Sequence, residues 1–295
     1  MTKISVTGSK KDLKPVIEEL HDLEALDIED YDGGELERGD PFEDAEDISE
    51  LLVDVRSLIS KLPEPKESVE KSLSLEQVQD KIPSISDKVD EINDEIADIE
   101  SGMTSVADQK KFFRKLEGTE LDYDSLKGSD TLSVFIGKLD VEHFRSNAPN
   151  DCFEIYNGKD ANVVFYYTEY QDQFEKVINE ARVEEYSLVE TELSGQVEII
   201  LERLESRKQQ LRDQKQRKQQ ELTEIASDWK GSLQNIEGFL SEKVEKSEAP
   251  IRFATTENAF IAKGWIPAER YSEVEERIAQ VTEGRIHVQK EEGDE

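Results

Sequence analysis

Between residues 85 and 106 the apolar side chains fall at Ile85, Val89, Ile92, Ile96, Ile99, Met103 and Val106, in alternating steps of four and three. Over three heptads that alternation is the mark of a helix burying one narrow stripe against a second helix. Phe113 falls one heptad further on, and the positions between are mostly Asp, Glu, Lys, Asn and Ser, so no second face remains to bury. The composition agrees. Of 295 residues, 35% are hydrophobic and 36% charged, a balance typical of long helices rather than of one compact core.

A partner is present in the same chain. Residues 193–246 contain no proline and carry a seam of Val197, Ile200, Leu204, Leu211, Leu222, Ile225, Trp229, Ile236 and Leu240. At 1.5 Å per residue this is a rod of about 80 Å. Seven acidic residues lie between Asp87 and Glu100, and seven basic ones between Arg203 and Lys218. Matching these blocks in an antiparallel pair opposes residue 87 to 218 and residue 100 to 203, because flanking charges select partner and direction. A third periodic helix, 45–62, carries Ile48, Leu51, Leu52, Val55, Leu58, Ile59 and Leu62, and Pro63 and Pro65 end it. The pattern weakens over 66–83, where Pro83 marks a further break before the seam.

Each end of this rod has an α/β pattern. Residues 131–136, 141–147, 152–156, 161–168, 170–181 and 185–189 read strand, helix, strand, strand, helix, strand, with Asn157-Gly158 as a turn. The chain begins with strand 3–7, helix 10–23 and strand 26–31, and ends with strand 259–265, helix 268–281 and strand 285–289. Joined, these give the same βαββαβ order. The expected fold is therefore α+β: two ferredoxin-like lobes joined by a long antiparallel two-stranded coiled coil, a bent dumbbell. Its parts are a proximal lobe from 1–44 and 247–295, a first arm at 45–117, a distal lobe at 118–192 and a second arm at 193–246.

The chemistry is sparse. With 70 Asp and Glu against 37 Lys and Arg the net charge is −33, which argues against nucleic acid and against direct binding to anionic lipid. The acidity suits either high internal salt or a basic partner. No apolar run approaches the roughly 20 residues of a membrane span, and residues 1–25 lack a signal-peptide centre, so a soluble intracellular chain is expected. Cys152 is the one cysteine, read as buried and inert, and His21, His143 and His287 have no ligand-like spacing. No Gly-rich phosphate loop, nucleophile elbow or metalloprotease motif occurs, and Val6-Thr7-Gly8-Ser9-Lys10 is too short for a P-loop. Phe165, Tyr166, Tyr167 and Tyr170 read as a sheet core with edge tyrosines. No enzyme activity, cofactor or metal is expected.

The most unusual segment is Gly264-Trp265-Ile266-Pro267, after the apolar strand from Ala259 and before an amphipathic helix. Gly264 permits close backbone approach, Pro267 presets the following helix, and Trp265 either plugs the corner or faces a partner. This segment, placed after a two-armed coiled coil with an α/β lobe at each end, resembles the GW(V/I)P segment of A/V-type ATP synthase subunit I. The vacuolar ATPase a subunit is its eukaryotic counterpart. The resemblance covers essentially the whole chain, as the cytosolic N-terminal half of that subunit.

The resemblance implies a non-catalytic stator on the cytoplasmic side of a membrane complex. Its lobes would hold peripheral-stalk subunits, and its own membrane half would carry the arginine and half-channels for proton or sodium transport. No residue here matches those, so none is carried over. A regulatory module whose lobes bind a ligand and signal through the coiled coil is the alternative. It would stop near Glu295, whereas a stator half would continue into membrane helices.

Overall fold

The structure, a computed structural model, describes residues 1–23, 26–67, 69, 74–149, 152–180 and 183–291. In chain order the elements begin with β1 (Thr2–Ser9), α1 (Leu13–Asp22), β2 (Asp27–Glu29), β3 (Glu37–Arg38), α2 (Ala45–Lys61) and α3 (Leu75–Lys115). Then follow β4 (Leu132–Lys138), α4 (Val141–Asn147), β5 (Phe153–Asn157), β6 (Asn162–Tyr167), α5 (Gln171–Glu180) and β7 (Glu184–Glu185). The last are α6 (Val197–Glu248), β8 (Ala254–Thr255), β9 (Ala259–Ile266), α7 (Tyr271–Val281) and β10 (His287–Lys290). Two compact units result, one of Met1–Val89 with Thr223–Glu295 and one of Asp90–Leu222. Both α3 and α6 contribute to each.

In the first unit, β1 pairs antiparallel with β9 along its whole length, from Thr2 opposite Ile266 to Ser9 opposite Ala259. Its other edge takes β10. The free edge of β9 takes β2 at Lys263–Trp265 and β8, which carries β3, further along. Each strand–helix–strand pair is thus split by a strand of the other. Alternation along β9 explains the layering. Phe260, Ala262, Gly264 and Ile266 are buried, while Lys263 and Trp265 are exposed on the opposite face. Leu13, Val16, Ile17 and Leu20 of α1, with Val274 and Ile278 of α7, close over the buried face. The β3–β8 pair was not legible in the sequence.

An ion pair clasps the two chain ends of this unit. Arg285 donates to Asp12 Oδ1 from Nη2 at 2.8 Å and from Nε at 3.2 Å. That hydrogen bond holds the Asp12 carboxyl below the usual carboxylate range, against the opposing effect of its removal from water.

Helix α2 buries Ile48, Leu51, Leu52, Val55 and Leu58 and stops at Leu62, as the sequence predicts. The carbonyls just past its end are satisfied from α6. Lys230, only 5% exposed, donates Nζ to Leu62 O at 3.0 Å, to Pro63 O at 3.4 Å and to Glu64 Oε1 at 2.6 Å. A buried ammonium is costly unless paired in this way, and helix C-termini need donors of this kind. The expected break at Pro83 is corrected: α3 runs through it. Proline costs an interior helix about 3 kcal/mol, which burial of Val78, Ile82 and Ile85 around it offsets. Residues 68 and 70–73 of the weak stretch lie outside the described residues.

The second unit orders its strands β5-β6-β4-β7, all antiparallel, with the same mutual splitting of strand–helix–strand pairs. Val163, Val164, Phe165 and Tyr166 are buried in succession because both faces of this sheet are covered. On one face Phe144 and Phe174 from α4 and α5 meet Phe135, Val164 and Tyr166, and the Tyr166 and Phe174 rings stack at 4.5 Å. On the other, Phe113 of α3 and Leu116 just after it, with Val197, Ile200 and Leu204 of α6, pack on Ile136, Val163 and Phe165. Helix 141–147 falls where expected. The last strand is Glu184–Glu185 rather than 185–189, and residue 181, the expected end of the preceding helix, lies outside the described residues. Cys152 is half-buried rather than buried.

Two outcomes test these clasps. Lys230→Met keeps the aliphatic stem but strands the Leu62 and Pro63 carbonyls, and should cost about 1–3 kcal/mol in urea unfolding followed by circular dichroism. For Asp12 the folded pKa is depressed below the unfolded value of about 3.9, so its contribution is complete above that value and lost as pH falls through the folded one. The melting gap between wild type and Asp12→Asn should therefore be constant from neutral pH to about 5 and close below about pH 4.

Candidate interaction surfaces

Helices α3 and α6 pair in each unit. In the first unit Ile85 and Val89 of the predicted seam are buried, together with Val78 and Ile82. Ile225 and Trp229 are half-buried, and the Lys81 ammonium lies 5.4 Å from the Trp229 ring centre. Ala226, Leu233 and Leu240 carry the buried stripe there. Their strict seven-residue spacing was available in the sequence, but an alanine is easily passed over beside Ile225. In the second unit Ile92, Val106, Leu204, Leu211 and Leu222 are buried, while Ile96, Ile99 and Met103 are half-buried.

The helices are antiparallel, but the register differs from the one that charge blocks predict. Glu100 meets Lys215 at 2.7 Å, Glu95 meets Lys218 at 2.5 Å, and Lys110 meets Glu205. A Cβ on Gly102 would touch the Leu211 side chain at 3.6 Å. Glu100 therefore sits well beyond the predicted region of Arg203. The residue just past the end of α2, Leu62, meets Lys230. The reason lies in the seam. Between Leu211 and Leu222 it passes through Lys215 and Lys218, whose side chains are each 29% exposed. Charges at seam positions specify register, whereas matched exposed blocks contribute little per pair.

Gly264 has a physical reason. A Cβ there would lie 2.4 Å from Asp27 O and 2.6 Å from Leu26 Cδ1, so the β2 backbone can approach only a glycine. Ile266 is fully buried, and Pro267, in an extended conformation, accepts from Arg270 N at the start of the turn before α7. Trp265 is not a plug. It is 37% exposed on the outer sheet face, with the Lys3 ammonium 5.8 Å from its ring centre and Lys3 paired to Glu29 at 2.5 Å.

A cavity of about 620 Å³ opens in the first unit, with Ile17, Leu20 and Phe253 on its walls and His21, Lys246 and Arg252 among its polar groups. Next to it His21, Asp22 and Glu242 offer three ligand atoms within 4.8 Å of one another. The place of a cation is taken by Lys246, whose Nζ is 3.0 Å from Asp22 and 2.7 Å from Glu242. Burial alone would lower the Lys246 pKa, but the hydrogen bonds to Glu242 and Asp22 outweigh it and raise it. The same bond from Lys246 lowers Glu242. A metal ion would have to displace this ammonium, so the cluster is a salt-bridge network. Among the described residues no helix is long and apolar enough to cross a membrane.

No family model matches the chain. Homologues named A-type ATP synthase subunit I cover 94–98% of it. The protein from Halobacterium salinarum is 29% identical over 98% of this chain and 41% of its own length. The one from Archaeoglobus fulgidus is 26% identical over 94% of this chain and 42% of its own. The chain therefore spans about two fifths of the length of these relatives. Among solved structures, the cytoplasmic N-terminal domain of subunit I, homolog of subunit a, of V-ATPase aligns over 99% of this chain and all of its own. The TM-score is 0.48 and the identity 12%.

Gly264→Ala forces β2 away from β9 and should destabilise the protein by about 1–3 kcal/mol, read by thermal melting. Gly238, in the interior of α6 with open space around its Cβ, provides the contrast. Gly238→Ala should stabilise by about 1 kcal/mol.

Proposed function

We propose that this chain is the cytosolic stator portion of a rotary A/V-type ATP synthase. Its two α/β units anchor peripheral-stalk subunits, and its paired helices link the catalytic head to the membrane sector that translocates ions. The observation that carries this reading is the likeness to two archaeal subunits I over nearly the whole chain. The strand orders support taking both units as ferredoxin-like lobes, since each splits one βαβ pair with a strand of the other. We take α3 and α6 as the two strands of a coiled coil.

The mechanics follow from the materials. Two helices in contact resist bending far better than one, because bending either requires its partner to slide. Their ends are set into sheet cores by large apolar side chains such as Phe113, Leu116 and Ile200. A side load on the second unit therefore acts on a packed interior. The role is non-catalytic. It places the chain on the cytoplasmic side of the cell membrane through its complex, with its own membrane half as its nearest partner. The exposed Trp265 face of the first unit is where we place one stalk contact.

The test is a titration of the chain with purified peripheral-stalk subunits from the same genome, followed by calorimetry and native mass spectrometry. Binding at micromolar concentration or tighter is expected, weakened at least tenfold by Trp265→Ala if the first unit holds a stalk. Absence of any stalk binding, together with migration apart from ATPase activity in solubilised membranes, would overturn the stator reading. The regulatory module would then lead, with the cavity near His21 as its ligand site.

A further inference from the structure

The second unit gathers positive charge on one side of its helix pair. On α3, Lys110 and Arg114 stand one turn apart with Lys111 beside them, and on α6 Lys208 and Arg212 do the same. Residues four apart share a helix face, and the Lys110–Glu205 ion pair sets Lys110 close to the start of the second row, from where the two rows run on in opposite directions along the pair. Lys110 reports the crowding. Its pKa is lowered first by burial, then by the positive charges of Arg114, Lys208 and Arg212. Among the described residues, Lys111, Arg114, Lys208 and Arg212 have no carboxylate at ion-pair distance.

This is an unusual surface for this chain. With a net charge of −33, carboxylates are not scarce, yet eleven of the 37 Lys and Arg fall within residues 110–115 and 203–218. Like charges four apart destabilise a helix. The register adds to the cost: pairing Glu100 with Lys215 and Glu95 with Lys218 leaves the first half of the basic run opposite the stretch that ends in Lys110 and Lys111 rather than opposite the acidic block.

We propose that the face formed by Lys110, Lys111 and Arg114 of α3 with Lys208 and Arg212 of α6 docks an acidic helix of another protein. Charge complementarity selects the occupant, and the surroundings narrow it. The basic stretch is short, and carboxylates adjoin both ends: Glu117, Glu198 and Glu202 on one side, Asp94, Asp98 and Glu100 on the other. A flat anionic bilayer would lie over these as well as over the cations, within about one Debye length of roughly 8 Å. A long phosphate polymer would meet the acidic remainder of the chain. A single helix lying along the patch meets mainly cations, the Glu205 carboxylate being taken up by Lys110, and its Glu side chains can take the two guanidinium groups in bidentate pairs. The site lies on the helix pair of the second unit, whereas the stalk contact proposed above at Trp265 lies on the first.

The experiment uses the whole chain and a fluorescein-labelled Glu/Ala helical peptide of about five turns, with Glu residues four apart. Binding is read by anisotropy at low and at physiological salt. A matched Lys/Ala peptide and phosphatidylglycerol vesicles serve as alternative probes. The Glu peptide should bind, more weakly as salt rises. Arg114→Glu with Arg212→Glu should weaken it about tenfold or more, while Lys176→Glu, on α5 of the same unit, should not. Arg114→Gln with Arg212→Gln gives a second variant that removes the two guanidinium charges without adding carboxylates, and circular dichroism confirms that both fold. An unchanged affinity in both double variants overturns the proposal. So does vesicle binding lost in the same variants without peptide binding, which would assign the face to lipid. A dimer that dissociates on charge reversal would give the face to a second copy, and equally overturns it.

Discussion

The structure depends on one helix having enough different partners along its length. Helix α6 has 52 residues and a single narrow apolar stripe, and such a stripe is unstable in water unless something covers it. In the first unit Leu233, Ile236 and Leu240 of α6 are buried, with Arg56 of α2 bonded to Glu237 and Ser241 beside them and Lys81 of α3 against Trp229. In the second unit α3 and the sheet face cover the stripe, through Leu204, Ile200 and Val197. Where the stripe turns polar, at Lys215 and Lys218, the partner supplies Glu100 and Glu95. The cost of those half-buried ammonium groups is what fixes the alignment of the helices, because sliding either one would strand an ammonium against an apolar surface.

Much of this was legible in the sequence. The four–three spacing from Ile85 to Val106 announced the helix pair, and the strand and helix segments of both α/β units were visible in their alternation and turns. What was not legible has a common cause. Register is a relation between two segments, and charge blocks are a poor guide to it because exposed pairs are worth so little each. Lysines hidden among the seam residues carried the information instead. Pro83 misled because a local rule was outweighed by tertiary burial on both sides of it. Lys230 gave no signal, since its partners are backbone carbonyls 168 and 167 residues away in sequence. The Gly264 motif was legible as a close approach, but only the position of Asp27 O showed what approaches.

The two sheets solve the same topology in different surroundings. Strand β6 is apolar on both faces and lies between two layers, so its sequence runs Val-Val-Phe-Tyr without alternation. Strand β9 alternates cleanly because only one face is covered by α1 and α7. The contrast makes Trp265 informative: on a face otherwise carrying Lys3 and Lys263, a half-open tryptophan is not there to fill a core. Surfaces of this kind, one amphipathic aromatic among charges, are where binding energy tends to concentrate.

The central position of β1 has a consequence for how this protein is made. Its two neighbours, β9 and β10, begin some 250 residues later in the chain. At a synthesis rate of roughly 5–20 residues per second, β1 waits on the order of 10–50 s on the ribosome for its partners. The second unit, encoded by one uninterrupted stretch from Asp90 to Leu222, can assemble during that wait. Meanwhile β1 has two unpaired edges, the exposure that invites strand-to-strand aggregation. The heavy excess of carboxylates then acts in the nascent chain as well as in the folded one, holding unfinished copies apart until the last strand arrives.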